Sequence, residues 1–167
     1  MDRLACNVVA PEEAEAFVLR AVERLKQLGM RITEPRRMVL KVLATTRKPL
    51  GAYQIRDRVL ESGGRIDVAS VYRILASLVE SHLAHHIGAV DGYLACSSPH
   101  VEGEIQHLIC EDCGCVEELS MPSSVSRAID AALGGTGFES RVTRVEVQGV
   151  CDHCQSARAQ GRKTRQN

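Results

Sequence analysis

Two short cysteine motifs constrain this chain most, Cys110-Glu-Asp-Cys113 and Cys151-Asp-His-Cys154. Each sets two thiols across two intervening residues, so both can turn onto one metal ion. Two such knuckles supply the four thiolates of a tetrahedral structural zinc site. The segment 114–150 is long enough for a small strand–helix–strand unit, and a shared ion would pin its ends together. Four unrelated cysteines are the plain alternative. A dithiol redox role needs only one pair and usually an α/β context, which ranks it below zinc. The expectation is one structural Zn²⁺ per monomer on Cys110, Cys113, Cys151 and Cys154.

The 167 residues suffice for one large domain or two small ones. A hydrophobic share of 44% and a charged share of 25% fit a cored protein rather than a disordered one. Aromatic residues are only 3% with no Trp, so the core must be aliphatic and stacking on unpaired bases is not expected. The formal net charge is +0, so any basic surface has to be local. No apolar run reaches membrane-spanning length and no secretory signal is seen. Seven cysteines with CxxC spacing then indicate metal binding in a reducing cytoplasm, with no membrane partner.

The N-terminal half carries helical periodicity. Pro11, Glu12 and Glu13 open a first helix with acidic residues at its positive end, and Phe17, Ala21, Leu25 and Leu28 give it one apolar face. Thr33 can cap a second helix, with Pro35 in its first turn and Met38, Val39, Val42 and Leu43 buried. A third helix carries Ala52, Ile55, Val59 and Leu60. The fourth runs from Asp67 to Val79, with Val68, Val71, Leu75 and Leu78 as its inward stripe. Ser70, Tyr72, Arg73 and Ser77 lie on other faces. Tyr72 and Arg73 come early in that helix, where a helix entering a major groove meets base edges and phosphates. From this helix alone, a packed Tyr and a solvated Arg is the simpler reading. Leu83–Ile87 and Tyr93–Cys96 then predict two strands around the turn Val90-Asp91-Gly92. Three helices followed by a hairpin is the winged helix-turn-helix order, with the hairpin tip expected beside the DNA backbone.

In the C-terminal half, His107–Cys110 and Val116–Met121 predict strands. Pro122 and Ser123 begin a helix with Val125, Ile129 and Leu133 facing inward. Val142, Val145 and Val147 predict a third strand running into the second knuckle.

At this point the chain resembles the ferric uptake regulator superfamily. The matching stretches are Arg31-Ile-Thr-Glu-Pro-Arg36, Ser70-Val-Tyr-Arg-Ile-Leu75, His107-Leu-Ile-Cys110-Glu-Asp-Cys113-Gly114, and Gly137-Phe138 through Glu146 to Gly149-Val-Cys151-Asp-His-Cys154. They stand in the family's order and cover roughly residues 15 to 155. The resemblance implies an α+β chain: an N-terminal winged helix-turn-helix domain and a C-terminal α/β dimerisation domain holding the four-cysteine zinc site. It implies a homodimer that represses transcription when a regulatory metal is bound, on a roughly palindromic, inverted-repeat operator in double-stranded DNA. The expected DNA contacts are Arg31, Arg36, Ser70, Tyr72 and Arg73. The expected boundaries are 1–97 for the DNA-binding domain, 98–155 for the dimerisation and zinc-binding domain, and 156–167 for a basic, disordered tail. One departure is His82, where the family commonly has glycine.

The knuckles leave Cys6, Cys96 and Cys115. Cys96 ends the second wing strand. His85 lies eleven residues earlier on the other arm of the hairpin, and Glu118 lies five residues past Cys113 on the next strand. With a histidine between Cys96 and Cys110 these would form a mixed N, S, O tetrahedral site, which looks like the zinc uptake regulator branch. There the sensing site bridges the two domains. A soft thiolate in a four-coordinate site suits Zn²⁺, whereas iron and manganese sensors favour His and carboxylate at higher coordination. The expected regulatory set is His85, Cys96 and Glu118 with His100 or His107, holding one or more Zn²⁺ per monomer. Iron, manganese or peroxide sensing in the same superfamily is the alternative. Glu102 and Glu104 read as solvated, His86 and His153 as surface histidines, and Cys6 and Cys115 as non-ligands. An enzyme is not expected, because no HExxH, nucleophile elbow or phosphate loop is present and no small-molecule substrate is indicated. A zinc-ribbon interaction module without a DNA role is the other rival, and the winged-helix order argues against it.

Overall fold

The computed structural model describes residues 9–97 and 105–163. The chain begins with α1 (Pro11–Gln27), with Pro11 at the start and Glu12 and Glu13 in its first turn. It ends before Gly29, whose φ of +70° stops the helix. Next come α2 (Glu34–Ala44), α3 (Ala52–Glu61) and α4 (Val68–Glu80). Thr33 caps α2 by accepting from Arg36 N at 3.4 Å, and Asp67 caps α4 by accepting from Ser70 N at 2.8 Å. The four helices share one aliphatic core, in which Leu25, Leu40, Leu43, Ile55, Leu75 and Leu78 are fully buried. Each such side chain contributes roughly 1.5–3 kcal/mol of burial. On α4 the inward stripe is Val71, Ile74, Leu75 and Leu78. Val68, expected there, sits in the first turn and is only half-buried.

A hairpin follows, β1 (Ala84–Ile87) and β2 (Gly92–Ala95), antiparallel with His85 opposite Leu94 and Ile87 opposite Gly92. A short 3-10 turn, Gly88–Val90, and Asp91 at φ +45° close it. Tyr93 also pairs with Leu50, exchanging two backbone bonds of 2.9 Å, which ties the hairpin to the α2–α3 connection.

The C-terminal half is a three-stranded sheet in the order β4 (Val116–Ser120), β3 (Ile105–Cys110), β5 (Val145–Gly149). β3 is central, antiparallel to β4 and parallel to β5. The parallel pair needs a crossover, supplied by α5 (Ser123–Leu133). Its Val125, Ile129 and Leu133 are half-buried rather than buried, and Val142 lies before β5 and is exposed. After the second knuckle the chain continues as α6 (Asp152–Lys163). Residues 156–163, expected to be a disordered tail, are therefore helical; Arg158 pairs with Asp112 beside the first knuckle.

His82 occupies the left-handed region, φ +57°, at the end of α4. His82 N donates to Val79 O at 3.0 Å and Leu83 N to Leu78 O at 2.8 Å. That is the paired closure that favours glycine. His82→Gly should therefore unfold at higher temperature than His82→Ala, by about 1 kcal/mol of stability. Thermal unfolding of the two variants side by side isolates the backbone preference from any contact of the imidazole.

Candidate metal centres and nucleic-acid interface

The first centre is built by the ends of β3 and β5. Cys110 closes β3, and a tight turn with Gly114 at φ +72° brings Cys113 back beside it. β5 runs parallel to β3 with Gly149 opposite Cys110, which delivers Cys151 to the same end; Cys154 follows on the first turn of α6. The four Sγ atoms lie within 4.8 Å of one another, with Cys113 and Cys151 3.9 Å apart. Burial opposes ionisation of Cys110. The backbone N–H groups of Cys151, Cys113 and Asp112 outweigh it and bring the thiol down to about 6, one of them Cys151 N at 3.3 Å from Sγ. Burial and the neighbouring thiols push Cys154 up. Such a group cannot ionise fully without a cation at its centre. The donors are all sulfur and closed around a point, so they fit a structural zinc ion rather than a catalytic one.

The second centre lies at the base of the hairpin. Ligand atoms of His85, Cys96 and Glu118 lie within 4.8 Å of one another. Strand alternation puts them there. Ile87, Leu94, Ile109 and Val116 form a small apolar cluster between hairpin and sheet. On each strand the residue two positions away points the same way, giving His85, Cys96, His107 and Glu118. Glu118 is oriented from one side: its Oε2 accepts from Ser97 N at 3.0 Å and Ser97 Oγ at 2.6 Å. Its buried Oε1 has no hydrogen-bond partner among the described residues and faces His85 Nε2 at 3.5 Å. A carboxylate oxygen left over in this way, beside an imidazole and a buried thiol, fits a cation. His107 is 6% exposed, opposite Glu118 in register, with its ring 4.8 Å from that of His85. It stands beside the three-residue group rather than within it. His100, Glu102, Glu104 and Cys6 lie outside the described residues. Cys115 is buried, its carbonyl accepting from Cys110 N. His86 is half-buried, bonded to Asp91 at 2.9 Å, and His153 is half-buried with an enclosed Nε2.

On α4, Tyr72 is 47% exposed and Arg73 is exposed. Asp67, Ser70 and Arg73 form a chain: Ser70 Oγ donates to Asp67 Oδ2 at 2.7 Å and accepts from Arg73 Nη2 at 3.0 Å. These bonds hold the Asp67 carboxyl below its ordinary range. Arg31 is exposed, whereas Arg36 is half-buried and its guanidinium donates to Arg31 O. Arg36 thus shapes the loop before α2. Sequence reasoning missed three features. Tyr53, 57% exposed at the start of α3 with Arg56 over its ring at 5.3 Å, is one. Ser97, which orients Glu118, is another. The third is Glu146 of β5, whose carboxylate accepts from Gly88 N and Ala89 N at the hairpin tip, each at 2.8 Å. The tip, expected beside DNA, is held by the C-terminal sheet. Only Glu146 left a signal, through its place in a motif.

Residues 27–148 match the Ferric uptake regulator family. The chain belongs to that family. As a member it is a metal-responsive, DNA-binding regulator. The peroxide operon regulator of Bacillus subtilis (strain 168) is 30% identical over 134 residues, 80% of this chain and 90% of the relative. Among solved structures, the crystal structure of holo XcZur matches with a TM-score of 0.74 at 30% identity, covering 84% of this chain and 98% of that one. A zinc uptake regulator complexed with zinc and DNA gives a TM-score of 0.79 at 24% identity over 87% of this chain and 97% of that chain, a likeness of fold. No described helix is long and apolar enough to cross a membrane.

Cys113→Ser should remove the structural ion and cost the C-terminal half its order. Zinc content should fall by one equivalent per chain, with loss of protection in β3 and β5 by amide hydrogen exchange.

Proposed function

We propose that this regulator is a zinc-responsive repressor of zinc-uptake genes, acting in the cytoplasm as a homodimer on inverted-repeat operators. The observation that carries it is the thiol in the hairpin-base group: His85, Cys96 and Glu118 offer nitrogen, sulfur and oxygen at one point. A soft donor in a small set suits Zn²⁺ better than Fe²⁺ or Mn²⁺. The likeness to holo XcZur supports the same choice. Regulatory zinc, when bound, would join both strands of the hairpin to β4, and His100 or His107 completes its shell. The knuckle keeps the structural zinc.

His85 and Cys96 belong to the hairpin, and Glu118 belongs to the sheet. We take 1–97 as the DNA-binding domain and 98–155 as the dimerisation domain, so the three donors meet across the boundary. Their meeting favours one orientation of α4 relative to the sheet, a population shift rather than a new fold. Tyr72 and Arg73 on the exposed face of α4 then contact bases and phosphates, with Ser70 aiming the guanidinium and Arg31 taking a phosphate. Exposed Leu119, Phe138, Val142 and Val147 on the C-terminal half supply apolar surface for a second copy of the chain. The nearby His107 favours a second reading, an iron, manganese or peroxide sensor with a nitrogen-rich shell.

The test is Cys96→Ser, titrated with free zinc while operator binding is followed by fluorescence anisotropy. The midpoint should move to at least about tenfold higher zinc, with the knuckle ion retained; an unchanged midpoint contradicts zinc sensing at this site. Imidazole and thiol must shed protons to bind metal. Lowering the pH from about 7.5 to about 5.5 should therefore weaken zinc-dependent operator binding. Arg73→Ala should weaken operator binding at saturating zinc by about 1–3 kcal/mol without moving the zinc midpoint.

A further inference from the structure

We propose that Glu146 is a latch that holds the hairpin tip against the C-terminal sheet and thereby sets how tightly the regulatory metal is bound. The site at the hairpin base cannot be the only attachment, because the tip is separately held. Glu146 sits on β5, an edge strand of the sheet, opposite His107 of the central strand in the parallel register. Its two carboxylate oxygens each take one N–H of consecutive residues, Gly88 and Ala89, at 2.8 Å. These are charge-assisted bonds to two backbone donors in a turn, a concave arrangement that suits an anion. The partners are 58 and 57 residues apart in sequence, so the contact constrains orientation rather than local structure.

The hairpin therefore meets the C-terminal half at three points. Ile87 and Leu94 pack on Ile109 and Val116 in the middle. His85 and Cys96 meet Glu118 at the base. Gly88 and Ala89 meet Glu146 at the tip. A contact made only in the closed orientation raises the population of that orientation before any metal arrives. By linkage, it raises the affinity of any ligand selective for that orientation by the same factor. The latch has a second consequence. The two N–H groups are occupied by a carboxylate and are not offered to a DNA phosphate, so the tip serves metal binding rather than operator contact.

This rests on the zinc-sensing reading, and the experiment separates the two. Glu146→Gln keeps the size but leaves one acceptor oxygen and turns an NH₂ towards a donor. Amide hydrogen exchange at residues 87–91 should be protected in the wild type and lose about tenfold of its protection in Glu146→Gln. Zinc competition against a chromophoric chelator should show the second equivalent weakened by a similar factor, with the first equivalent and the dimer unchanged. Gly88→Pro deletes one of the two donors from the other side; Ile87 at φ −93° and ψ 105° is already extended, clear of the α region that a following proline disfavours. Glu146→Gln and Gly88→Pro should be strongly non-additive in zinc affinity, because both break one contact. Unchanged exchange at 87–91 in Glu146→Gln overturns the latch. Lost protection with unchanged zinc affinity overturns its coupling to the metal. Wild-type operator binding indifferent to zinc would sink the zinc reading, while the exchange data would still decide the latch.

Discussion

Four apolar side chains fix the architecture on which both candidate functions depend. Ile87 and Leu94 of the hairpin pack against Ile109 and Val116 of the sheet, and this small cluster sets where one half of the chain lies on the other. Everything chemical at the junction follows from the pleat. A step of two residues along each strand leads from an apolar member of the cluster to His85, Cys96, His107 or Glu118. The donors converge because the apolar residues do. A shift of one residue in the β1–β2 register would turn His85 or Cys96 to the opposite face and disperse the group.

The two halves are stabilised differently. The helical half has a continuous aliphatic core and supports itself. The sheet half has few buried side chains among the described residues, and two of them, Cys110 and Cys154, belong to the knuckle. So small a core does not stand alone without a metal or a partner surface. The knuckle, once it holds an ion, would give the sheet half a rigid base, and that half also carries exposed Leu119, Phe138, Val142 and Val147. The junction needs the opposite property. Its apolar cluster is small and its polar contacts are a handful of hydrogen bonds: Val116 N to Arg47 O at 2.9 Å, Ser97 to Glu118, and Gly88 N and Ala89 N to Glu146. A junction of this strength is one that a bound ion can bias.

Much of this was legible in the sequence, for reasons that can be named. The helices announced themselves through apolar periodicity and, for α2, through the cap Thr33. The knuckle was legible because cysteine spacing is dictated by ion geometry. That His85, Cys96 and Glu118 lie together was legible from the return of the hairpin, which brings Cys96 near His85, and from the resemblance to the zinc uptake regulator branch, which adds Glu118 on the next strand. The Glu146 clasp and the role of Ser97 were not legible, because contacts between halves depend on packing over long separations; the capture of Arg36 by its own loop was missed because a local side-chain-to-carbonyl bond leaves no pattern of residue types. The tail failed for a different reason. Polar composition past Cys154 suggested disorder, yet the knuckle fixes the start of α6, and helix then propagates through Arg158, which pairs with Asp112. His82 shows the limit of a glycine rule, since its backbone takes the left-handed turn that glycine would have taken.

The most direct measurement is operator affinity of the intact chain, knuckle ion in place, titrated in parallel with free Zn²⁺, Fe²⁺ and Mn²⁺ under reducing, oxygen-free conditions. The duplex is one selected by the protein from random sequences with zinc present. Zinc should switch on binding at free concentrations orders of magnitude below those required of iron or manganese, and the selected duplex should be an inverted repeat. Equal or better switching by Fe²⁺ or Mn²⁺, or binding indifferent to all three, would contradict zinc sensing at the hairpin base.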